Sequence, residues 1–479
     1  MTDSSIVADM LQENDRRNHI IQQPFNPSTG EGAPLPRTRA LISDYSPSSL
    51  FLPDSMMDDD RVSRIIICGS INDYARLVRI TKEEAREEFE VLRCRHDFCY
   101  WAWRYVRIKP KDGGDDIPFS LNRPQRRLVT QFEKARLEGK PIRVIVLKAR
   151  QWGGSTVTQI YMAWLQLIHR KGLNSLIVGH VKTASAEVSS MFDKVIERYP
   201  LRLLEMAALP SDSDETDACS KAEDAICHIF PLDGEEDGPS DKADKSDKAD
   251  RSDSSDRSDK KKASQKMVGD RHTRLLRYIP MRNCKIKVGS AETPNSARGG
   301  DSALVHCTEV AFWKKTDNKT PEDIIRSACA GASYQPLTMI VYESTANGTG
   351  NFFQQEYDAA RRGESLFDPV FVAWWQIERY ALPLTQPEVF AAQLWQQRHD
   401  TSVASQRQES GQYLWRLWEM GATLEAINWY VCERRKYNDH GDMAAEFPSD
   451  DTEAFQNSGA HVFDPTASKS SRQGAVRQN

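Results

Sequence analysis

The sequence lacks the features that mark membrane proteins, secreted proteins and zinc-cluster proteins. No two of its nine cysteines form a C-x-x-C pair, and they are scattered along the chain. No apolar run reaches the ~18–20 residues that a membrane-spanning helix needs. The residues after Met1 also lack the basic start and apolar stretch of a signal peptide. These absences argue against a membrane or secreted protein and favour reduced thiols in a cytoplasmic one.

Neither sign of charge dominates, and apolar residues are scarce. The 479 residues contain 64 Lys and Arg against 69 Asp and Glu, a net charge of -5. Hydrophobic residues make up 39% of the chain, below the ~45–50% of an average globular protein. This excludes a uniformly basic coat for nucleic acid but leaves a local basic channel open.

Composition divides the chain into segments. Residues 1–60, rich in Ser, Pro, Asp and Gln, predict a disordered polar arm. Residues 210–266 include a repeat of Asp with Lys, Arg and Ser that has almost nothing to bury, and predict a disordered charged insertion. The sequence between 61 and 465, apart from this insertion, predicts one large ordered domain with a helical subdomain over 380–445. Residues 466–479 predict a disordered tail.

Short apolar runs alternate with helical patterns within the ordered text. The threonine at position 81, followed by acidic residues, predicts the start of a helix, and 157–168 predicts another. Such alternation is typical of an α/β fold with a mostly parallel sheet flanked by helices. The predicted strands are 143–147, 175–178, 285–288, 303–306, 338–342 and 367–375.

The passage from 148 to 156, Lys-Ala-Arg-Gln-Trp-Gly-Gly-Ser-Thr, joins a predicted strand to a predicted helix. An ordinary P-loop reads G-x-x-x-x-G-K-[ST] and cradles phosphate at the helix N-terminus. Here Gly154 stands where the lysine belongs and Lys148 where the first glycine belongs. The glycine turn, the hydroxyl and the cations of a phosphate site are nevertheless present, although a Gly-Gly-Ser turn that merely caps a helix is the alternative. The candidate nucleotide-binding residues are Lys148, Arg150, Gly153, Gly154, Ser155 and Thr156.

Three further polar segments lie next to predicted strands or helices. Glu309 ends an apolar strand, where a glutamate can orient an attacking water, and Thr308 takes the position at which an aspartate usually holds Mg²⁺. The segment Ser344, Thr345, Ala346 and Asn347 ends another strand, where side chains can sense a bound phosphate or simply form a turn. Gln125, near a predicted helix start, is a candidate for a two-pronged contact to adenine.

In order and spacing these segments resemble the large terminase subunit of tailed double-stranded-DNA bacteriophages and prophages, a motor ATPase that packages DNA. The resemblance covers about residues 90–463 and adds two segments, Ser296-Ala-Arg298-Gly299 and the block from Ala445 to Phe463. It implies a P-loop NTPase fold of the RecA-like (ASCE) class, with ATP and Mg²⁺ as cofactors.

The resemblance also implies roles for residues. Lys148 and Arg150 would bind phosphate, Arg150 and Glu309 would be catalytic, and 344–347 would couple hydrolysis to DNA movement. Ser155 would bind Mg²⁺ directly, and Thr308 through water. The implied partners are double-stranded DNA, a portal protein, a small terminase subunit and further copies of the chain in a ring on the procapsid, in the bacterial cytoplasm and away from any membrane.

One feature of the family is expected to be missing. Only a short tail follows Phe463, whereas family members continue into a metal-dependent nuclease, so no nuclease activity is expected from this chain. Two alternatives stay open: another P-loop translocase or helicase, and an inactive prophage remnant that binds nucleotide or a portal or small-terminase partner.

Overall fold

The computed structural model describes residues 3–23, 25–110, 113–181, 199–200, 276–293, 296, 301–315 and 319–456. The predicted insertion over 210–266 and the predicted tail over 466–479 lie outside this range. The eleven described strands are β1 (Arg37–Ala40), β2 (Leu50–Pro53), β3 (Arg107–Ile108), β4 (Ile117–Pro118), β5 (Ile142–Lys148), β6 (Asn174–Gly179), β7 (Leu276–Ile279), β8 (Cys284–Ser290), β9 (Ser302–Thr308), β10 (Met339–Ser344) and β11 (Asp368–Val372).

Helices fill most of the remaining described chain. In the first half they are Asp3–Ile21, Asp60–Cys68, Ile71–Val78, Lys82–His96, Phe98–Tyr105, Arg123–Leu137 and Gly154–Trp164, the last continuing as a π-helical turn over Leu165–His169. In the second half they are Pro321–Cys329, Phe352–Arg361, Pro387–Gln396, Gly411–Met420, Leu424–Arg434, His440–Glu446 and Asp451–Gln456. None of these helices is both long enough and apolar enough to cross a membrane.

A seven-stranded sheet organises the fold, in the order β11-β5-β10-β9-β6-β8-β7. Its first six strands run parallel, and only the edge strand β7 is antiparallel to its neighbour β8. The predicted α/β class with a mostly parallel sheet is therefore confirmed, and each predicted strand lies within two residues of an observed one, except that the observed β11 ends earlier.

Strand β5 shows why this sheet needs helices on both faces. All seven of its residues are buried, as expected for a central parallel strand. Val144 and Val146 pack into one hydrophobic cluster, with helix Gly154–Trp164. Ile145 and Leu147, which point to the opposite face, pack into a second cluster with helix Phe352–Arg361.

The predicted disordered arm over 1–60 is wrong for the residues described there. Helix Asp3–Ile21 packs on the helical region: the Asn14 side chain accepts from the Leu424 amide at 2.7 Å, and the Arg17 guanidinium lies 3.9 Å from the Trp418 ring centre. Strands β1 and β2 pair as an antiparallel hairpin, which joins a third hydrophobic cluster with the helices between 60 and 96. Pro36 directly precedes β1 and Pro53 is the last residue of β2, so these two prolines flank short strands rather than preventing them.

The helix predicted to begin at Thr81 does so with a complete capping box. The Thr81 hydroxyl accepts from the Glu84 amide, and the Glu84 carboxylate accepts from the Thr81 amide. This helix ends at His96, where Asp97 caps the next one, so the aromatic segment after it forms a separate helix.

Candidate functional site

Three strands bring the predicted site segments to one edge of the sheet. Strand β10 lies between β5 and β9, and all three run parallel, so their carboxyl ends meet. Lys148 ends β5, Thr308 ends β9 and Ser344 ends β10. Ligands of open α/β sheets bind at this edge, and the segments predicted to act together are placed together there.

The loop after β5 is shaped by two residues with left-handed backbones. Gln151 has a φ of 58° and Gly153 a φ of 83°. The helix Gly154–Trp164 starts directly after Gly153, which gives no side-chain cap to the first amides of the helix. Ser155 and Thr156 lie in the first turn, half-buried. An uncapped helix N-terminus with free amide donors is a suitable place for a phosphate group.

Gln125 supports this loop from behind. The side chain is 5% exposed; its oxygen accepts from the Asn122 amide, and its nitrogen donates to the Gly153 carbonyl at 2.8 Å. Asn122 itself donates to the Trp152 carbonyl. The structure thus gives Gln125 a bracing contact that sequence reasoning did not foresee, and a direct contact to adenine stays a prediction.

Lys148 and Glu309 form an ion pair across the sheet edge. The Lys148 ammonium lies 2.5 Å from one Glu309 carboxylate oxygen, and the Lys148 side chain is 8% exposed against 29% for Glu309. Glu309 has a φ of 55°, a conformation that a non-glycine residue adopts at a cost. Its second oxygen accepts from the Thr345 amide at 3.4 Å. The predicted phosphate-binding lysine and the predicted catalytic glutamate therefore face the same space.

Glu343, in the interior of β10, is the site residue that sequence reasoning missed. It is 1% exposed, and it receives hydrogen bonds from the Ser155 hydroxyl and, at 3.1 Å, from the Thr308 hydroxyl. The His306 ring nitrogen lies 3.3 Å from the same carboxylate oxygen. Burial raises the pKa of Glu343, but the neighbouring His306 and Lys148 and the Ser155 hydroxyl outweigh it and lower the pKa to about 2. An ionised carboxylate thus lies under the start of the loop helix.

The available signal for Glu343 was its position in the sequence. Glu343 directly follows the apolar run of the predicted strand 338–342, and an acidic residue that is buried with the end of a strand needs partners. Those partners come from β9 and from the loop helix, which are distant in sequence.

The predicted coupling segment contacts the turn that follows Glu309. The Ser344 hydroxyl accepts from the Ala311 amide at 3.1 Å, and the Asn347 side chain donates to the Ala311 carbonyl at 3.0 Å. With the Thr345 amide on Glu309, these bonds join the end of β10 to the turn over 310–312. A displacement of Glu309 would therefore change the contacts of 344–347.

Arg150 points toward the helical region. Its guanidinium lies 2.9 Å from the Glu446 carboxylate, and its amide donates to the Glu446 carbonyl. A cavity of about 1340 Å³ lies between the sheet edge and this region, large enough for a nucleotide. Its lining includes Lys148, Arg150, Glu309, Thr345, Asn347 and Glu446.

The side-chain oxygen atoms of Ser155, Glu343 and Thr308 are suitable ligands for Mg²⁺. The metal favours oxygen ligands and is usually held by one or two protein groups together with substrate phosphates and water. The Ser155 hydroxyl and the Glu343 carboxylate provide such oxygens, with Thr308 beside them. The residues present therefore fit the predicted metal, with the Glu343 carboxylate beside the predicted ligands Ser155 and Thr308.

A mostly parallel sheet with a glycine turn, a lysine and an acidic residue at one edge is the class of site used by P-loop-type nucleoside triphosphatases. No family model and no curated protein matches the chain.

Solved structures of phage large terminases do resemble it. The ATPase domain of the Thermus phage P74-26 large terminase is 15% identical, covering 64% of this chain and 88% of that one, with a TM-score of 0.32. The large terminase of bacteriophage HK97 is 12% identical, covering 62% of this chain and 51% of that one, with a TM-score of 0.37. The large terminase of a thermophilic bacteriophage is also 12% identical, with a TM-score of 0.28, and the match covers 53% and 45% of the two chains. All three TM-scores are below 0.5, so the function is inferred from the chain's own residues.

Proposed function

We propose that the chain is an ATP-hydrolysing motor subunit of the large-terminase type, which drives viral double-stranded DNA into a procapsid. The observation that carries this proposal is the Lys148–Glu309 pair at the loop edge, beside a cavity of nucleotide size. The order of the motifs along the chain, from the loop to the Ala445 block, supports the terminase type over other P-loop translocases.

Separation of the Lys148–Glu309 ion pair would be the first step when ATP binds. Lys148 and Glu309 neutralise each other, so neither is free for catalysis while they touch. A triphosphate at the loop helix offers Lys148 a stronger anionic partner, together with the free amides of the helix start. When Lys148 moves to the phosphates, Glu309 is released to accept a hydrogen bond from water.

Hydrolysis then follows from the positions of these groups. A water oriented by Glu309 forms a new bond from its oxygen to the γ-phosphorus, while the bond between that phosphorus and the bridging oxygen of ADP breaks. ADP leaves with the electron pair, and the water proton passes to Glu309 and then to solvent or phosphate. Arg150 lines the same cavity and is the candidate for neutralising the transferring group. Mg²⁺ would be held by Ser155 and the neighbouring Glu343, and would neutralise negative charge on the phosphate oxygens.

The segment 344–347 would couple ATP hydrolysis at Glu309 to the movement of DNA. Its bonds to Glu309 and to the following turn mean that the release of Glu309 changes the contacts at the end of β10. In this proposal the change moves DNA, with a portal protein, a small terminase subunit and other copies of the chain as partners.

Phosphate release from ATP tests the proposal. The wild type should turn over ATP in the presence of Mg²⁺, and Glu309→Gln should abolish turnover while ATP still binds. Glu138→Gln is a matched control, because Glu138 follows helix Arg123–Leu137 at the amino end of β5, and its contact to Lys140 is exposed. Equal turnover by wild type and Glu309→Gln would refute the proposal. ATP binding by the wild type without phosphate release would favour the inactive remnant.

Translocation is tested separately. The terminase type predicts displacement of a third strand from a DNA triplex without separation of the duplex, and packaging when procapsids are supplied. Separation of duplex strands would instead indicate a helicase.

A further inference from the structure

The position at which motor ATPases usually carry a magnesium-binding aspartate holds Thr308 in this chain. A hydroxyl is a neutral ligand and binds Mg²⁺ more weakly than a carboxylate, because charge contributes to the affinity. Among the described residues, however, a carboxylate lies directly beside Thr308 on the neighbouring strand. Glu343 is the cross-strand partner of Thr308 in the register of β10 with β9, and their side-chain oxygens are 3.1 Å apart.

Glu343 also contacts the loop helix. The Ser155 hydroxyl, in the first turn of that helix, donates to Glu343. One carboxylate oxygen thus lies between the hydroxyl expected to bind the metal and the residue in the aspartate position. Glu343 is buried, and among the described residues it contacts the His306 ring but no Lys or Arg directly.

Three of the four acidic residues that line the cavity, Glu309, Glu446 and Asp439, have contacts of their own. Glu309 contacts Lys148 and the Thr345 amide, and Glu446 contacts Arg150. Asp439 accepts from the Asp442 amide and caps the helix His440–Glu446. Glu343 is the acid that accepts the hydrogen bond of the Ser155 hydroxyl.

We propose that Glu343 supplies the carboxylate that holds the Mg²⁺ of bound ATP, so that a role usually played at position 308 has moved one strand across the sheet. This inference rests on the proposed function and deepens it. It gives the two acids different roles, since Glu343 holds the metal and Glu309 acts on water.

The test measures metal affinity rather than turnover. Free Mn²⁺, the probe, is titrated by electron paramagnetic resonance against protein saturated with ADP. Glu343→Gln keeps the side-chain shape and removes the charge, and should weaken Mn²⁺ binding at least tenfold, while ADP without metal binds as in wild type. Glu138→Gln, the matched control, removes an exposed carboxylate at the amino end of β5 and should keep the wild-type Mn²⁺ affinity.

Restoring the carboxylate at its usual place gives the decisive variant. Because positions 308 and 343 face each other across the two strands, the double variant Thr308→Asp with Glu343→Gln should recover most of the lost Mn²⁺ affinity. If Glu343→Gln does not fold, Glu343→Asp keeps the charge but withdraws it by one methylene, and should still weaken Mn²⁺ binding several-fold.

The outcomes distinguish this inference from the proposed function. Wild-type affinity for Mn²⁺ in a folded Glu343→Gln or Glu343→Asp variant overturns the inference and leaves the proposed function intact. A wild type that binds neither ADP nor Mn²⁺ overturns both. A double variant that remains as weak as Glu343→Gln also contradicts the inference, since a carboxylate at position 308 should then suffice.

Discussion

Substitution of Gly153 by alanine tests how the loop is held. Gly153 has a φ of 83°, and a Cβ there would lie 2.5 Å from the Gln125 side-chain nitrogen. The left-handed backbone costs an alanine about 1–2 kcal/mol. Displacing the buried Gln125 amide from the Gly153 carbonyl costs about 1–3 kcal/mol more, because the amide loses its partner without gaining water. We therefore expect Gly153→Ala to lower the free energy of unfolding by about 2–5 kcal/mol.

Gly172→Ala provides the matched control for this prediction. Gly172 also has a positive φ, 76°, but nothing lies within 4 Å of a Cβ at that position. Gly172→Ala should lower the free energy of unfolding only by the cost of the left-handed backbone, about 1–2 kcal/mol. Urea unfolding followed by tryptophan fluorescence measures both variants. Equal losses of unfolding free energy in the two variants would refute a stabilising contact between Gln125 and the loop.

Two further predictions separate stability from activity. Arg150→Ala should change the free energy of unfolding by less than about 1 kcal/mol, because the ion pair with Glu446 is largely exposed. It should lower phosphate release about 10³-fold or more if Arg150 neutralises the transferring group; a large stability loss with unchanged turnover would contradict this. Burial lowers the pKa of His96 to about 4, below its usual 6.5. Because the unfolded chain then binds the proton first, stability should fall by up to about 3 kcal/mol as the pH drops from 6.5 to 4. Urea unfolding of His96→Asn should lack that fall, and parallel pH curves for variant and wild type would exclude the effect.

The strands of the large sheet could be predicted because each is a short apolar run. Strand β5 is buried on both faces, so its sequence is apolar throughout most of its length and has clear ends at Ile142 and Lys148. The antiparallel edge strand β7, Leu276–Ile279, was not predicted, since it is short and carries an arginine.

The folded N-terminal region could not be predicted from local pattern. Helix Asp3–Ile21 has a weakly apolar sequence, and the partners that stabilise it, such as Trp418 and Leu424, lie some 400 residues away. Composition describes what a segment can bury alone, whereas this helix is completed by a surface that the rest of the chain provides.

In the candidate site too, some features could be predicted from the local sequence and others depend on the fold. The loop, Glu309 and the segment 344–347 follow strands in the sequence, and parallel pairing brings them together at one edge. The contacts of Glu343 and Gln125 depend on strand order and on side-chain direction across elements, which local sequence does not contain.

Equilibrium binding of Mg²⁺·ATP to the wild type and to Lys148→Met measures whether ATP binds at this edge of the sheet through Lys148. Methionine keeps the apolar stem of the side chain and removes the charge that would contact phosphate. We expect the wild type to bind and Lys148→Met to lose at least tenfold in affinity, with its fold intact by circular dichroism. Equal affinity in the two proteins would show that Lys148 does not bind the phosphates and that ATP binds elsewhere.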